Sequence, residues 1–185
     1  MKNKGLILGL FSLLALVQIV VPLSMISNRE TIIKEGVEFK FKTAPIDPYD
    51  AFRGRYVWLS IKENEVAVPK GLDLKHGQLV YAFVEVSEDG FAKFLSLTTE
   101  KPRGLAYIKA KSGYVYKGKV RLELPFDRYY MEEGAAPKAE KIYRQHTSRD
   151  KQDAYLTVKI KDGMAAITGL YVAGEKIEDV VKKVK

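Results

Sequence analysis

From Gly5 to Met25 the chain reads GLILGLFSLLALVQIVVPLSM, without a single charge. As an α-helix that run rises about 30 Å, the thickness of a bilayer's hydrocarbon core. The sequence therefore predicts one transmembrane helix, meeting lipid through residues 5–25. Gln18 and Pro22 are tolerable in a spanning helix, Pro22 lying near its outer end. A cleavable leader has a shorter apolar core and small residues before the cut, whereas LSMISNRE offers Ser24 and Ser27 without an Ala-x-Ala pattern. An uncleaved anchor is the expectation. Lys2 and Lys4 precede the run and are expected to stay in the cytoplasm, which sends the body to the outer face of the cell membrane. The chain thus divides into an anchor, 1–28, and an extracytoplasmic body, 29–185.

A body of about 155 residues is the usual size of one domain. The chain carries 31 Lys and Arg against 23 Asp and Glu, a formal charge of +8. Those cations are interleaved with acids, as in KENE, AEKIYRQ and SRDKQD, and form no stripe that would track phosphates. Nucleic acid is not expected as a partner. A mild attraction to anionic lipid headgroups or acidic envelope polymers fits the net charge better. With no cysteine there can be no disulfide, thiolate nucleophile or lipoprotein attachment. Two histidines, His76 in a turn and His146 in a polar segment, leave little for a metal centre. No metal and no cofactor is expected.

From residue 37 onward the apolar period is two, as in VEFKFKT, YVWLSIK, QLVYAFVEV, FAKFLSLTT, LAYIKAK and KVRLELPF. This predicts a mostly β fold of eight to ten short strands, an antiparallel barrel-like or sandwich sheet. The Asp-Gly pairs at 89–90 and 162–163 predict hairpins joining 79–86 to 91–98 and 154–161 to 164–172. KSG at 111–113 reads as a third turn. One stretch breaks the pattern: Ala135, Ala136, Ala139, Ile142 and Tyr143 recur at three to four, which predicts a short inserted helix near 135–146 beginning near Pro137. Glu132 and Glu133 would then lie at its positive end as capping carboxylates. The tail EKIEDVVKKVK predicts a last amphipathic turn or two carrying Ile177, Val180, Val181 and Val184.

The densest stretch is DPYDAFRGRYVWLSI, residues 47–61. Asp47 before Pro48 starts a turn, Asp50 can bond nearby backbone, and Gly54 supplies a permissive dihedral. Tyr56, Trp58 and Ser60 then share one face, with Val57, Leu59 and Ile61 on the other. A turn entering a strand explains most of this, with Arg53 tying the aspartates into a local charge network. The residues it leaves for binding a ligand or partner are Asp47, Asp50, Arg53, Gly54 and Tyr56. Downstream, LPFDRYYMEEGAAPKAE adds Tyr129 and Tyr130, which point to opposite sides of a strand, and Glu133.

The first stretch resembles the signature of the GDYXXLXY protein family, bacterial membrane-anchored proteins of unknown function. Arg53, Gly54, Tyr56 and Leu59 match; Arg55 replaces the family's Asp, and Ile61 its last Tyr. The second stretch is similar to the family's aromatic pair, acid, glycine and helix through Tyr129, Tyr130, Glu133, Gly134 and Glu140. With the anchor and the final hairpin the likeness covers nearly the whole chain. It implies an address and a polytopic membrane protein as partner, and no reaction.

The expected function is that of an accessory or binding component for a membrane protein or an envelope ligand, with no catalytic residue assigned. The alternative is a cell-envelope hydrolase using two carboxylates, Asp50 and Glu133 for instance. That chemistry needs a raised carboxyl pKa and a separation of about 5–10 Å, which a sequence does not reveal. The motifs of serine, zinc and nucleotide enzymes are missing.

Overall fold

The computed structural model describes residues 2–44, 56–148 and 151–184. A long helix, α1 (Lys2–Glu35), is followed by β1 (Val37–Ala44), β2 (Tyr56–Trp58), β3 (Ser60–Ile61), β4 (Glu65–Ala67), β5 (Leu79–Val86) and β6 (Ala92–Thr98). Then come β7 (Tyr107–Tyr116), β8 (Lys119–Glu123), β9 (Arg128–Tyr130), α2 (Ala136–His146), β10 (Ala154–Lys161), β11 (Met164–Val172), β12 (Glu175–Lys176) and α3 (Ile177–Lys183). The described residues hold more strands than the eight to ten expected, because short pieces such as β3 and β12 are too brief to register as alternation.

One sheet runs in the order β12-β11-β10-β1-β3 and another in the order β4-β8-β7-β5-β6, with β2 and β9 pairing separately. Adjacent strands are antiparallel. The sheets meet where Lys109 donates its backbone N–H to the Gly163 carbonyl at 2.9 Å, beside the bridge between Ile108 and Gly163. The result is a nearly closed, barrel-like sheet. Alternation on each strand fills it: Phe41, Val80, Ile108, Val120, Leu156 and Val158 are fully or almost fully enclosed. Phe41 is central, its ring 5.6 Å from Phe94 and 5.7 Å from Phe126. Each such side chain contributes about 1.5–3 kcal/mol by leaving water.

Both expected Asp-Gly hairpins are present, as β5–β6 and β10–β11. The turn expected at 111–113 is not. β7 runs straight through Lys111, Ser112 and Gly113, with a bulge between Ser112 and Val115, and the chain reverses at Lys117 and Gly118 instead. Those two residues take φ of 49° and 73°, the left-handed pair that a tight hairpin needs. Gly113 serves close approach: a Cβ there would stand 2.8 Å from the Arg121 carbonyl oxygen of β8.

Helix α2 forms where expected and buries Ala136, Ala139, Ile142 and Tyr143 against β2, α3 and β11. Its N-cap is Ala135, which has no side-chain cap hydrogen bond. Glu132 accepts, through its backbone carbonyl, the N–H groups of Ala135 and Ala136 at 3.0 Å each. Helix α3 buries Ile177 and Val181 and packs Val180 at the core's edge, while Val184, its C-cap, is exposed.

α1 is apolar enough to cross a membrane, and none of its apolar window is buried against the rest of the chain. It continues beyond residue 28 to Glu35, and its last turn docks on the barrel. Ile32 is buried, Lys159 donates to the Ile33 carbonyl at 2.5 Å, and Lys161 pairs with Glu35. Both lysines meet the negative end of the helix dipole. Gly36 stops the helix, its N–H bonding to the Ile32 carbonyl at 2.8 Å, and β1 begins at the next residue.

Candidate functional site

Strands β2 and β9 pair in antiparallel register, setting Tyr56 opposite Tyr130, Val57 opposite Tyr129 and Trp58 opposite Arg128. With a period of two, Tyr56, Tyr130 and Arg128 belong to one face and Val57 and Tyr129 to the other. Val57 is fully buried, which fixes the first face as the outward one. The chain changes sheets immediately afterwards: β2 pairs with β9, Leu59 bonds the Asp127 carbonyl, and β3 pairs with β1.

On the outward face the Tyr56 and Tyr130 rings lie 5.6 Å apart, inclined by 59°. The Arg128 guanidinium sits over the Tyr56 ring at 5.3 Å, in range for a cation–π contact. Hydrogen bonding with the Tyr130 side chain, and next the Asp127 carboxylate at 3.6 Å from its Nε, hold Arg128 more firmly charged than usual. Tyr130 is 66 % exposed, so the cluster presents an aromatic edge and a guanidinium to its surroundings.

On the inward face Tyr129 is half-buried and donates its hydroxyl to the Glu178 carboxylate on α3. Burial first, and then that carboxylate, push the Tyr129 phenol far above its ordinary range. Tyr129 thus locks β9 to the C-terminal helix and acts as a strut behind the exposed pair.

Among the described residues two grooves flank residues 125–127. The larger, about 590 Å³, lies toward β7 and β8 and is lined by Lys109, Lys111, Glu123 and Asp127 over an apolar floor that includes Leu59 and Phe126. The other, about 390 Å³, lies between the C-terminal part of α1 and β9, with Arg29, Arg128, Tyr129 and Tyr130 on its walls and Ala165 and Ala166 among its floor residues. Among the described residues no group of His, Asp and Glu could hold a metal ion.

Of the residues expected at a site, Asp47, Asp50, Arg53 and Gly54 lie outside the described residues. Tyr56, Tyr129 and Tyr130 are brought together by the β2–β9 pair. Glu133 is exposed in the segment leading to α2 and takes part in interactions of its own. The sequence reading missed Arg29, Arg128 and Glu178. Arg29 is the first charge after the apolar run and Arg128 adjoins the tyrosine pair, so position in the sequence could have found both. Glu178 meets Tyr129 across 49 residues and gives no local signal.

A family profile described as GDYXXLXY protein matches residues 18–170. Searches of curated proteins and of solved structures found no significant match.

Proposed function

The chain belongs to the GDYXXLXY protein family, and on that premise we propose that it is a single-pass membrane protein whose β domain sits on the outer face of the membrane and binds a membrane-protein partner. The domain boundary falls within α1, and Lys2 and Lys4 hold its N-terminus in the cytoplasm. The binding surface is the outward face of β2 and β9, with Tyr56, Arg128 and Tyr130 at its centre; Asp47, Asp50, Arg53 and Gly54, in the sequence stretch that leads into β2, and Glu133 are further residues assigned to binding. No catalytic step is assigned.

The observation that carries this reading is the direct junction between α1 and β1. No linker intervenes, and the last helical turn is fixed to β10 by Ile32, Lys159 and Lys161. A domain held in this way keeps a constant orientation to the bilayer, which a freely tethered one would not. The β2–β9 face lies next to the same end of the helix, since Arg29 shares a groove with Arg128 and Tyr130. The surface therefore faces whatever stands beside the anchor in the membrane. Tyrosine and arginine are the side chains that most often anchor such contacts.

The test is photo-crosslinking from position 130 in the full-length chain in intact membranes. One discrete membrane-embedded adduct is expected, lost when Tyr56→Ser is added. No adduct, or an unchanged set of many weak ones in the Tyr56→Ser background, would contradict the assignment.

A further inference from the structure

We infer that the groove between the outer end of α1 and β9 is a seat for the phosphate of an anionic phospholipid in the leaflet facing the β domain. This inference rests on the proposed spanning orientation of α1 and adds a ligand to the site.

The first argument is depth. Arg29 is the first charge after Lys4 along the helix, about 37 Å further on at 1.5 Å per residue. A bilayer measures about 30 Å across its hydrocarbon and about 40–45 Å with headgroups. With Lys4 at one interface, Arg29 lies within the opposite headgroup layer, and the groove it lines opens at that level.

The second argument is charge. Arg29 and Arg128 stand on the walls of the groove, and the guanidinium fork suits two phosphate oxygens at once. Around the helix end, Arg29, Lys34, Arg128, Lys159 and Lys161 outnumber Glu30, Glu35, Glu38 and Asp127. Glu30 is paired with Lys34 at 3.0 Å and Glu35 with Lys161, which leaves Asp127 as the carboxylate inside the groove, beside Arg128.

The third argument is size and chemistry. About 390 Å³ falls in the range of small-ligand sites, about 300–1,000 Å³. Small Ala165 and Ala166 leave the floor open, and Tyr130, largely exposed at the rim, has the amphipathic ring that settles at membrane interfaces.

The experiment uses the full-length chain purified in detergent and native mass spectrometry to count bound lipid, with phosphatidylglycerol and phosphatidylcholine of matched acyl chains and inorganic phosphate as competitor. Phosphatidylglycerol should be retained over phosphatidylcholine, and Arg29→Gln with Arg128→Gln should weaken retention about five-fold for each charge removed. Arg29→Lys with Arg128→Lys should restore most of it, which separates lost charge from a damaged fold. Lys117→Gln with Lys119→Gln, an equal charge loss at the far β7–β8 turn, should leave it unchanged. Equal retention of the two lipids, equal loss in both glutamine pairs, or displacement by millimolar inorganic phosphate would each overturn the inference. A chain that stays soluble without detergent would instead overturn the anchor reading, a result separate from lipid choice.

Discussion

Tyr56 and Tyr130 stand directly opposite each other in the β2–β9 pair, rings 5.6 Å apart, with the Arg128 guanidinium over the first of them. They come from the two stretches that carry the family likeness, 74 residues apart in the chain, and one three-residue pairing brings them together. The pair lies on the face away from buried Val57; Tyr56 is half-buried, while the largely exposed Tyr130 ring adds little to the core.

Tyr130→Ala should therefore cost less than about 1 kcal/mol, the scale of one exposed aromatic pair, while abolishing partner capture. Thermal melting of the full-length protein in detergent checks the first part. A loss of several kcal/mol would make the tyrosine structural.

The junction between helix and barrel should be sensitive out of proportion to its size. Ile32→Ala should cost about 2 kcal/mol through the cavity it leaves. Gly36→Ala should be at least as damaging, because a Cβ there would collide with the Ile32 carbonyl oxygen and stand 3.2 Å from both the N and O of Ile160. All of these are backbone atoms, which cannot swing aside. Chemical denaturation of both variants measures this, and wild-type stability in either would contradict a rigid junction.

Two hairpin glycines should behave differently on substitution by alanine. Gly118, at φ 73°, has nothing within 4 Å of a would-be Cβ, so only left-handed strain of about 1–2 kcal/mol is expected. Gly163, at φ 78°, adds a steric conflict, with the Tyr107 ring at 2.5 Å and Lys109 Cγ at 2.9 Å. It also holds the bridge to Ile108 that helps close the barrel. Gly163→Ala should be clearly the worse in a side-by-side melt, and equal losses would count against the closure.

Alkaline pH should weaken the fold. Burial pushes the Tyr143 phenol up to about 12, with Thr43 and the Ser60 backbone acting in the opposite sense. Tyr129 is raised as well, by burial and Glu178. An unfolded tyrosine ionises near 10, so above that pH the unfolded chain has shed a proton that the native chain keeps. Stability is complete below about pH 10 and falls as pH approaches 12, by about 2 kcal/mol for Tyr143. Denaturation midpoints at stepped pH should show this decline, and Tyr143→Phe should flatten it. An identical slope in the variant would contradict the assignment.

What was legible in the sequence follows the range of each interaction. The Asp-Gly hairpins were readable because short turns are set by local dihedral preferences: Asp162 and Gly163 both take positive φ in a two-residue turn, and in the longer β5–β6 connection Gly90 alone does. KSG misled because Gly113 answers to Arg121 on the neighbouring strand, a tertiary demand, while the true turn residues Lys117 and Gly118 carried a weaker signal. The helix beyond residue 28 was obscured for a similar reason: NRETIIKE is polar by composition, and only the docking of Ile32 and the stop at Gly36 explain its extent. In the site, the two motifs were visible as motifs. Their union across β2 and β9, the strut from Tyr129 to Glu178 and the place of Arg29 in one groove with Arg128 depend on the closed fold.

The central claim is that α1 spans the membrane with the β domain outside. The chain has no cysteine, so Glu88→Cys, in the exposed β5–β6 turn, is a single clean label site. In intact cells a membrane-impermeant maleimide should label it, and the protein should stay in the membrane pellet through alkaline carbonate washing. Labelling only after permeabilisation, or release by carbonate, would contradict the account.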